Sequence, residues 1–346
     1  MTERGDVNLR PERWAELARR FDLGQVQGAA QFVARGAMGE VWRLDTVRGA
    51  WAVKCQFPWG TVQPRPADVG VQLAAAAAGI PLPAPVLTPA GEAVARIGSR
   101  HVRVYEWADL GRPAEPPVGD RIAAEAGRLL GVLHSLALPA TEPDDPWYAQ
   151  VRPPADWAAL ADRAAAAGMS WADRLAGAQE RIAGLSARAD VPRPRDQRIV
   201  CHRDFNPDNV VPASSGDYLV VLDWENAGPL DPGCELGYAL FAWSAGRGQI
   251  STSAITALLD SYAAALGADP ALGPGMFATA IVAPLNFLFV MAEQAIAEPG
   301  HRDYCERQLS SLLHHDLDDL ARFLDLAEGL LLPKGNSTTA TGRRHH

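Results

Sequence analysis

Residues 201–211 read CHRDFNPDNVV, with one histidine, two aspartates and two asparagines set between Cys201 and the apolar pair Val210–Val211. Asn, Asp and Pro build Asx-type turns readily, so the run by itself describes a polar loop between two strands. A turn does not require a further acidic residue at the end of the next apolar strand. YLVVLDWENAG (218–228) supplies one, Asp223, fourteen residues after Asn209. The combined spacing is H-x-D-x-x-x-x-N, an apolar strand, then D, which sets Asn209 and Asp223 at adjacent strand ends with Asp204 in the loop before them.

Phosphoryl transfer leaves little covalent chemistry to the protein. It needs a carboxylate to orient a hydroxyl and take its proton, and oxygen ligands for Mg²⁺. Asp204 suits the first role, and Asn209 and Asp223 suit the second. An independent half of the pattern lies upstream in ARGAMGEVWRLDTVRGAWAVK (34–54), where Gly36, Ala37, Met38, Gly39 and Val41 form a glycine-containing hairpin and Ala52-Val53-Lys54 follows on the next strand. Glycines let backbone amides approach phosphates closely, and a lysine there adds positive charge. Of 32 basic residues only Lys54 and Lys334 are lysines, so chance placement of one at this position is a poor explanation. The arginine and alanine preference points to GC-rich coding.

At 346 residues, 48% hydrophobic and 21% charged, the chain has material for two lobes. A net charge of −9 and a pI near 5.4 argue against nucleic acid or an anionic membrane as partner. They fit a cationic small molecule better. Cys55, Cys201, Cys234 and Cys305 are dispersed, which indicates neither a zinc site nor a disulfide framework and suggests a reduced, cytoplasmic setting. The first 25 residues are charged throughout, without the apolar segment of a secretory signal. The apolar run Met276–Ala292 is interrupted by Thr279, Pro284 and Asn286 and is expected to be a buried helix.

Periodicity predicts a helix over 8–22, three antiparallel strands over 31–57, a helix over 67–79, and strands at 92–97 and 100–107. After the Pro/Gly-rich stretch 111–119 the pattern turns helical: 119–136, 154–167 and 170–188. A mostly β interlude follows at 198–224, then helices at 234–245, 251–266, 274–297 and 301–330. The resulting division is an N-terminal helix (1–23), a strand-rich lobe (24–108), a mainly helical lobe (109–332) and a disordered tail (333–346).

These motifs, with Leu133-His134-Ser135, resemble the aminoglycoside phosphotransferases and related small-molecule kinases over about residues 30 to 330. The resemblance implies an α+β, bilobal protein-kinase-like fold, with a small antiparallel-sheet N-lobe carrying one or two helices and a larger helical C-lobe. It implies ATP or GTP between the lobes, Mg²⁺ on Asn209 and Asp223, and catalysis by Asp204. The hinge would be Tyr105-Glu106-Trp107-Ala108, with the backbone of Glu106 and Ala108 contacting the base. The acceptor is a small-molecule hydroxyl, on an antibiotic or else a metabolic alcohol, and the protein a monomer or homodimer. This sequence departs from the family in three places. Ala34 stands at the first glycine of the loop, and Arg203 stands where glycine is common. The usual glutamate partner of the lysine corresponds to Asp68, with Glu92 or a water-mediated contact as alternatives. His202 and His134 read as bracing residues, and Asp231 as fixing the turn into a helix. Glu235 reads as a cation-facing residue of the acceptor site beside Asp231. Glu225 reads either as an aid to metal binding or as an exposed strand-end carboxylate. Trp147, Trp157 and Trp171 are open between a stacking wall and core.

Overall fold

Helix α1 (Pro11–Arg20) is the first element in a computed structural model that describes residues 11–57, 67–191 and 198–332. Its Trp14, Leu17 and Ala18, with Phe21 in the turn just beyond it, recur at helical spacing and are all buried. They cover a sheet whose strands are β1 (Gln31–Arg35), β2 (Gly39–Thr46), β3 (Gly49–Gln56), β4 (Pro85–Val86), β5 (Ala95–Ile97) and β6 (Arg100–Glu106). The antiparallel order is β1-β2-β3-β6-β4, with β5 paired to β6. Leu44, Val53, Val102 and Val104 meet α1 in one apolar core. Each such side chain stabilises the lobe by about 1.5–3 kcal/mol. The N-terminal helix is thus an integral layer of the first lobe.

Helix α2 (Ala67–Ala77) ends before Gly79, whose φ of 84° suits the left-handed stop that glycine allows. Its Val71 and Ala75, with Ile80, join the core of the second lobe. A hydrogen bond from Val221 N to Pro81 O at 2.8 Å ties the same segment to that lobe. The strand-rich lobe therefore rests on the helical one through α2.

The second core gathers α3 (Asp120–Ser135), α5 (Pro154–Ala166), α6 (Ala172–Ala189), α7 (Pro232–Ser244), α8 (Thr252–Leu266) and α9 (Ala278–Ala297), closed by α10 (Arg302–Ser311) and α11 (Leu317–Leu331). The short helix α4 (Pro146–Ala149) precedes α5. Helices α3 and α8 pack backbone to backbone: a Cβ on Gly127 would fall 2.1 Å from Leu258 O, and one on Gly131 2.5 Å from Tyr262 O. Among the described residues one helix, Gly275–Ala297, is long and apolar enough to cross a membrane. Its Ile281, Leu285, Leu288, Phe289 and Met291 lie instead in the core, as a buried helix requires.

The β interlude consists of β7 (Ile199–Cys201), β8 (Val210–Pro212), β9 (Leu219–Val221) and β10 (Gly228–Leu230). β8 pairs with β9 and β7 with β10, both antiparallel. The polar loop 202–209 is strung between these two hairpins. Cys55, Cys201, Cys234 and Cys305 are all buried. The tail 333–346 lies outside the described residues.

Candidate active site

His202 fixes the base of the loop. Its Nε2 donates to Leu222 O at 2.8 Å, which leaves Nδ1 to accept from Asp204 N at 3.3 Å. Beneath it, Glu235 is fully buried. One Glu235 oxygen accepts from His202 N at 3.1 Å and from His134 Nε2 at 2.8 Å; the other accepts from Arg203 N. Burial pushes this carboxyl upward in pKa, but the hydrogen bond and charge of His134 outweigh it and hold Glu235 below its ordinary value. The expectation that Glu235 faces the acceptor is therefore corrected: it lies under the loop because two loop amides and a buried histidine need an acceptor there. Asp231 does cap α7, accepting from Gly233 N at 2.7 Å, and His134 is the buried bracing residue expected, held also by Tyr262 Oη at 2.9 Å.

Arg203 has φ 68°, the left-handed region in which glycine is at ease and other residues are strained. Its guanidinium is buried, with Nε donating to Asn226 O at 2.5 Å and Cζ 4.4 Å from the centre of the Tyr148 ring. The cation thus joins the loop to the β9–β10 connection and to α4. Helix α4 is in turn clamped by α9: Asn286 Nδ2 donates to Trp147 O at 2.9 Å and to Gln150 O at 3.2 Å, and Thr279 Oγ1 reaches Tyr148 O at 3.4 Å. Two of the polar residues that interrupt the apolar run thus hold this segment. Trp157 and Trp171 are core residues, each 3% exposed, and Trp147 is partly covered. The stacking-wall alternative is set aside for the two buried indoles.

Across the cleft, Lys54 Nζ donates to Asp223 Oδ1 at 2.7 Å and to Glu225 Oε2 at 2.6 Å. Glu225 is buried rather than exposed. Its other oxygen accepts from Tyr105 Oη at 2.9 Å, with Arg103 Nε 3.9 Å away. The carboxylates facing Lys54 thus come from the segment after β9. Glu92 instead pairs with Arg20 at 2.8 Å, and the side chain of Asp68, on α2, lies outside the described residues. Burial tends to lower the Lys54 pKa, but Asp223 and Glu225 overcome it and hold the ammonium charged. Asp223, with φ 56°, is pushed up to about 8 by burial and by repulsion from Glu225, against the pull of Lys54.

Asn209 stands beside Asp223 because β8 and β9 are in register from Val210↔Val221 onward, and Leu222 N donates to Asn209 O at 2.7 Å. Asn209 Nδ2 donates to Asp204 O at 3.1 Å, which turns its Oδ1 away from that contact. Hard oxygen donors from Asn209 and Asp223, with Glu225 adjacent, are a set that fits Mg²⁺. Asp204 is half-buried, and burial, against hydrogen bonds that include Asn209 and Tyr238, raises its pKa.

The hairpin of Gly36, Ala37, Met38 and Gly39 closes with Gly36 N donating to Gly39 O at 2.9 Å. A Cβ on Gly39 would fall 2.4 Å from Cys55 O, so glycine lets β2 lie close against the strand carrying Lys54. Val41 is directly opposite Lys54, and Ala52 faces Tyr105. Arg35, just before the hairpin, reaches the helical lobe: Nη2 is 2.5 Å from His301 Nδ1, and the guanidinium lies over Phe57 and Tyr304 at 4.9 and 5.8 Å. In the hinge, Glu106 N is used by Ala84 O and Trp107 N by Ala50 O. Trp107 Nε1 bonds Asp109, and Arg43 lies over its ring.

The family model for the phosphotransferase enzyme family (APH) matches residues 29–276. This chain belongs to that family. It is a phosphotransferase acting on small-molecule hydroxyl groups, with the bilobal kinase-like fold of its structural neighbours. No curated protein sequence matches significantly. Among solved structures, a spectinomycin phosphotransferase in complex with ADP and spectinomycin superposes with TM-score 0.67 at 11% identity, covering 90% of this chain and 98% of that one. An aminoglycoside phosphotransferase from Alicyclobacillus acidocaldarius gives 0.56 at 18%, covering 94% and 99%. A choline kinase from Streptococcus pneumoniae gives 0.55 at 14%, covering 89% and 97%.

Sequence reasoning left two participants out or undecided. Glu225 was legible as a carboxylate near Asp223, but its pairing with Lys54 depends on a 3-10 turn, Trp224–Asn226, that aims it back at the sheet. Tyr238 carried no motif signal, and it reaches the loop because α7 runs beneath it.

Proposed function

We propose that this phosphotransferase moves the γ-phosphoryl group of ATP, or of GTP, to a hydroxyl of an antibiotic in a resistance or self-protection role. The observation that carries the nucleotide-dependent reading is that Lys54 of the strand-rich lobe reaches Asp223 of the helical lobe, next to Asn209 and the loop that carries Asp204. The hairpin of Gly36 to Gly39 with Lys54 would cover the triphosphate. Since sheet pairing uses the amides of Glu106 and Trp107, the base would be read by hinge carbonyls and by Ala108. Asn209 and Asp223 would hold Mg²⁺, which when bound supplies positive charge to the phosphate oxygens. Lys54 is then shared between Asp223, Glu225 and the phosphates. Asp204 orients the acceptor hydroxyl and takes its proton late in the transfer, so a carboxylate of ordinary or modestly raised pKa suffices.

The acceptor class is supported by the acidic balance of the chain and its GC-type coding habit, together with the family's chemistry. A metabolic alcohol, such as a sugar, a choline-like alcohol or homoserine, is the second reading, in keeping with the choline kinase likeness. Dispersed, reduced cysteines accord with a cytoplasmic enzyme. A panel of hydroxylated antibiotics and metabolites, assayed for acceptor-dependent ADP release with and without Mg²⁺, tests the reading. Release with an antibiotic, lost on chelation and restored by Mg²⁺, is expected. Release only with a metabolic alcohol selects the second reading, and nucleotide binding with no turnover on any acceptor overturns both.

A further inference from the structure

We infer that Tyr238 is a positioning residue for Asp204: its hydroxyl, together with the Asn206 amide, pins one carboxylate oxygen and leaves the other turned toward the acceptor. The inference rests on the reading above, in which Asp204 is the group that touches the acceptor hydroxyl.

The geometry is a closed arrangement of donors. Asn206 Nδ2 donates to Asp204 Oδ1 at 2.6 Å and to Tyr238 Oη at 3.1 Å, and Tyr238 Oη donates to the same Asp204 Oδ1 at 3.3 Å. The orientation of the Asn206 amide is fixed independently, because its Oδ1 accepts from Asp208 N at 2.9 Å and from Asn209 N at 3.3 Å. Its NH₂ must therefore face Asp204. Oδ1 of Asp204 is thus filled by two donors, whereas Oδ2 has a long 3.5 Å contact from Asn226 Nδ2. A carboxylate held this way cannot rotate freely about its terminal torsion, so the same oxygen is presented in every cycle.

Helix α7 explains why Tyr238 is available for this. Glu235 and Tyr238 are three residues apart and share a helical face. Glu235 takes the loop backbone at His202 and Arg203, and Tyr238 takes the loop side chains at Asp204 and Asn206. The helix itself is immobilised on its other side, where a Cβ on Gly237 would fall 2.1 Å from Met276 O and where Leu236, Ala239 and Leu240 are buried. Tyr238 is half-buried, and its hydroxyl is directed at Asp204 and Asn206 of the loop.

The test uses MgATP hydrolysis by the full chain, with water as acceptor, in wild type, Tyr238→Phe, Asp204→Asn and the double variant. Phe keeps the ring, and melting curves check that the fold is retained; should Tyr238→Phe melt early, Asn206→Ala carries the same comparison. The expected result is a fall in kcat of about tenfold for Tyr238→Phe, the loss of about one hydrogen bond's worth of positioning, with KM for MgATP unchanged. In the Asp204→Asn background the Tyr238→Phe change is expected to cause no further loss, because both act through one group. Wild-type kcat in Tyr238→Phe, or an equal fractional loss in both backgrounds, overturns the positioning role. Undiminished turnover in Asp204→Asn, or no MgATP turnover by the wild type with water or any acceptor, instead overturns the phosphotransferase assignment on which it rests.

Discussion

Lys54 holds two carboxylates that would otherwise repel each other. Replacing it by Met removes the cation that bridges Asp223 and Glu225 and leaves Arg103, 3.9 Å from Glu225, beside only one of the two. Removing one partner of a buried ion pair costs several kcal/mol, and partial exposure of Lys54 and Asp223 reduces this to about 2 kcal/mol. Lys54→Met should therefore lower the urea midpoint of unfolding as well as weaken nucleotide binding. Glu235 gives a second residue-scale prediction with a definite sign. Its folded pKa is depressed, so the stability it contributes is present above its unfolded value and is lost as pH falls through the folded one. Glu235→Gln should unfold at lower urea than wild type at neutral pH, and the gap should narrow on acidification below about pH 4.5, the region where an unfolded glutamate titrates. A gap independent of pH would remove the charge-based account. Lys54 was legible in the sequence because it is nearly alone among arginines, and Asp204, Asn209 and Asp223 because one loop and one strand fix their spacing. Glu235 was misread, since nothing in a linear pattern says whether a carboxylate at the start of a helix points into the cleft or beneath the loop.

The elements themselves were largely readable, because their apolar periodicity is regular. The strands over 31–57 and the helices of the second lobe appear within a few residues of their expected bounds. What was missed is short and held by distant partners: α4 exists where Asn286 and Thr279 take its carbonyls, and the hairpin spanning 245–250 carries no turn signal strong enough to declare itself. Packing between elements gives a sharper test than their boundaries. Gly127→Ala puts a methyl into the backbone of α8, and overpacking of this kind costs about 1–3 kcal/mol, measurable by thermal or urea unfolding. An unchanged midpoint would mean that α3 and α8 are farther apart than described. Between the lobes, Arg35→Ala removes the contact that the segment before the Gly36–Gly39 hairpin makes with His301 and Tyr304. A labelled ADP should then dissociate faster, and equal dissociation rates would show that this contact does not restrain the hairpin.

At the scale of the whole molecule, two apolar cores are joined where Lys54 reaches Asp223 and Glu225, and the candidate site residues lie at that junction. The strand-rich core formed with α1 positions Lys54, while the helical core, which also takes in α2, positions Asp204, Asn209 and Asp223. This division accounts for why the candidate residues were legible as two separate motifs: each core carries its own half, and the halves meet only when the lobes are joined. The docking of α4 on α9 was not legible, because it rests on tertiary contacts that leave no spacing in the chain. In the proposed reaction Asp204 would handle the acceptor hydroxyl while Lys54 of the opposite lobe and the Asn209–Asp223 pair would handle the nucleotide. Asp204→Asn tests it most directly, by following ADP release in MgATP beside nucleotide affinity in the same preparation. A loss of turnover of about 10²-fold or more with affinity unchanged is the predicted result, in line with the removal of a general base, whereas turnover equal to wild type would contradict the account.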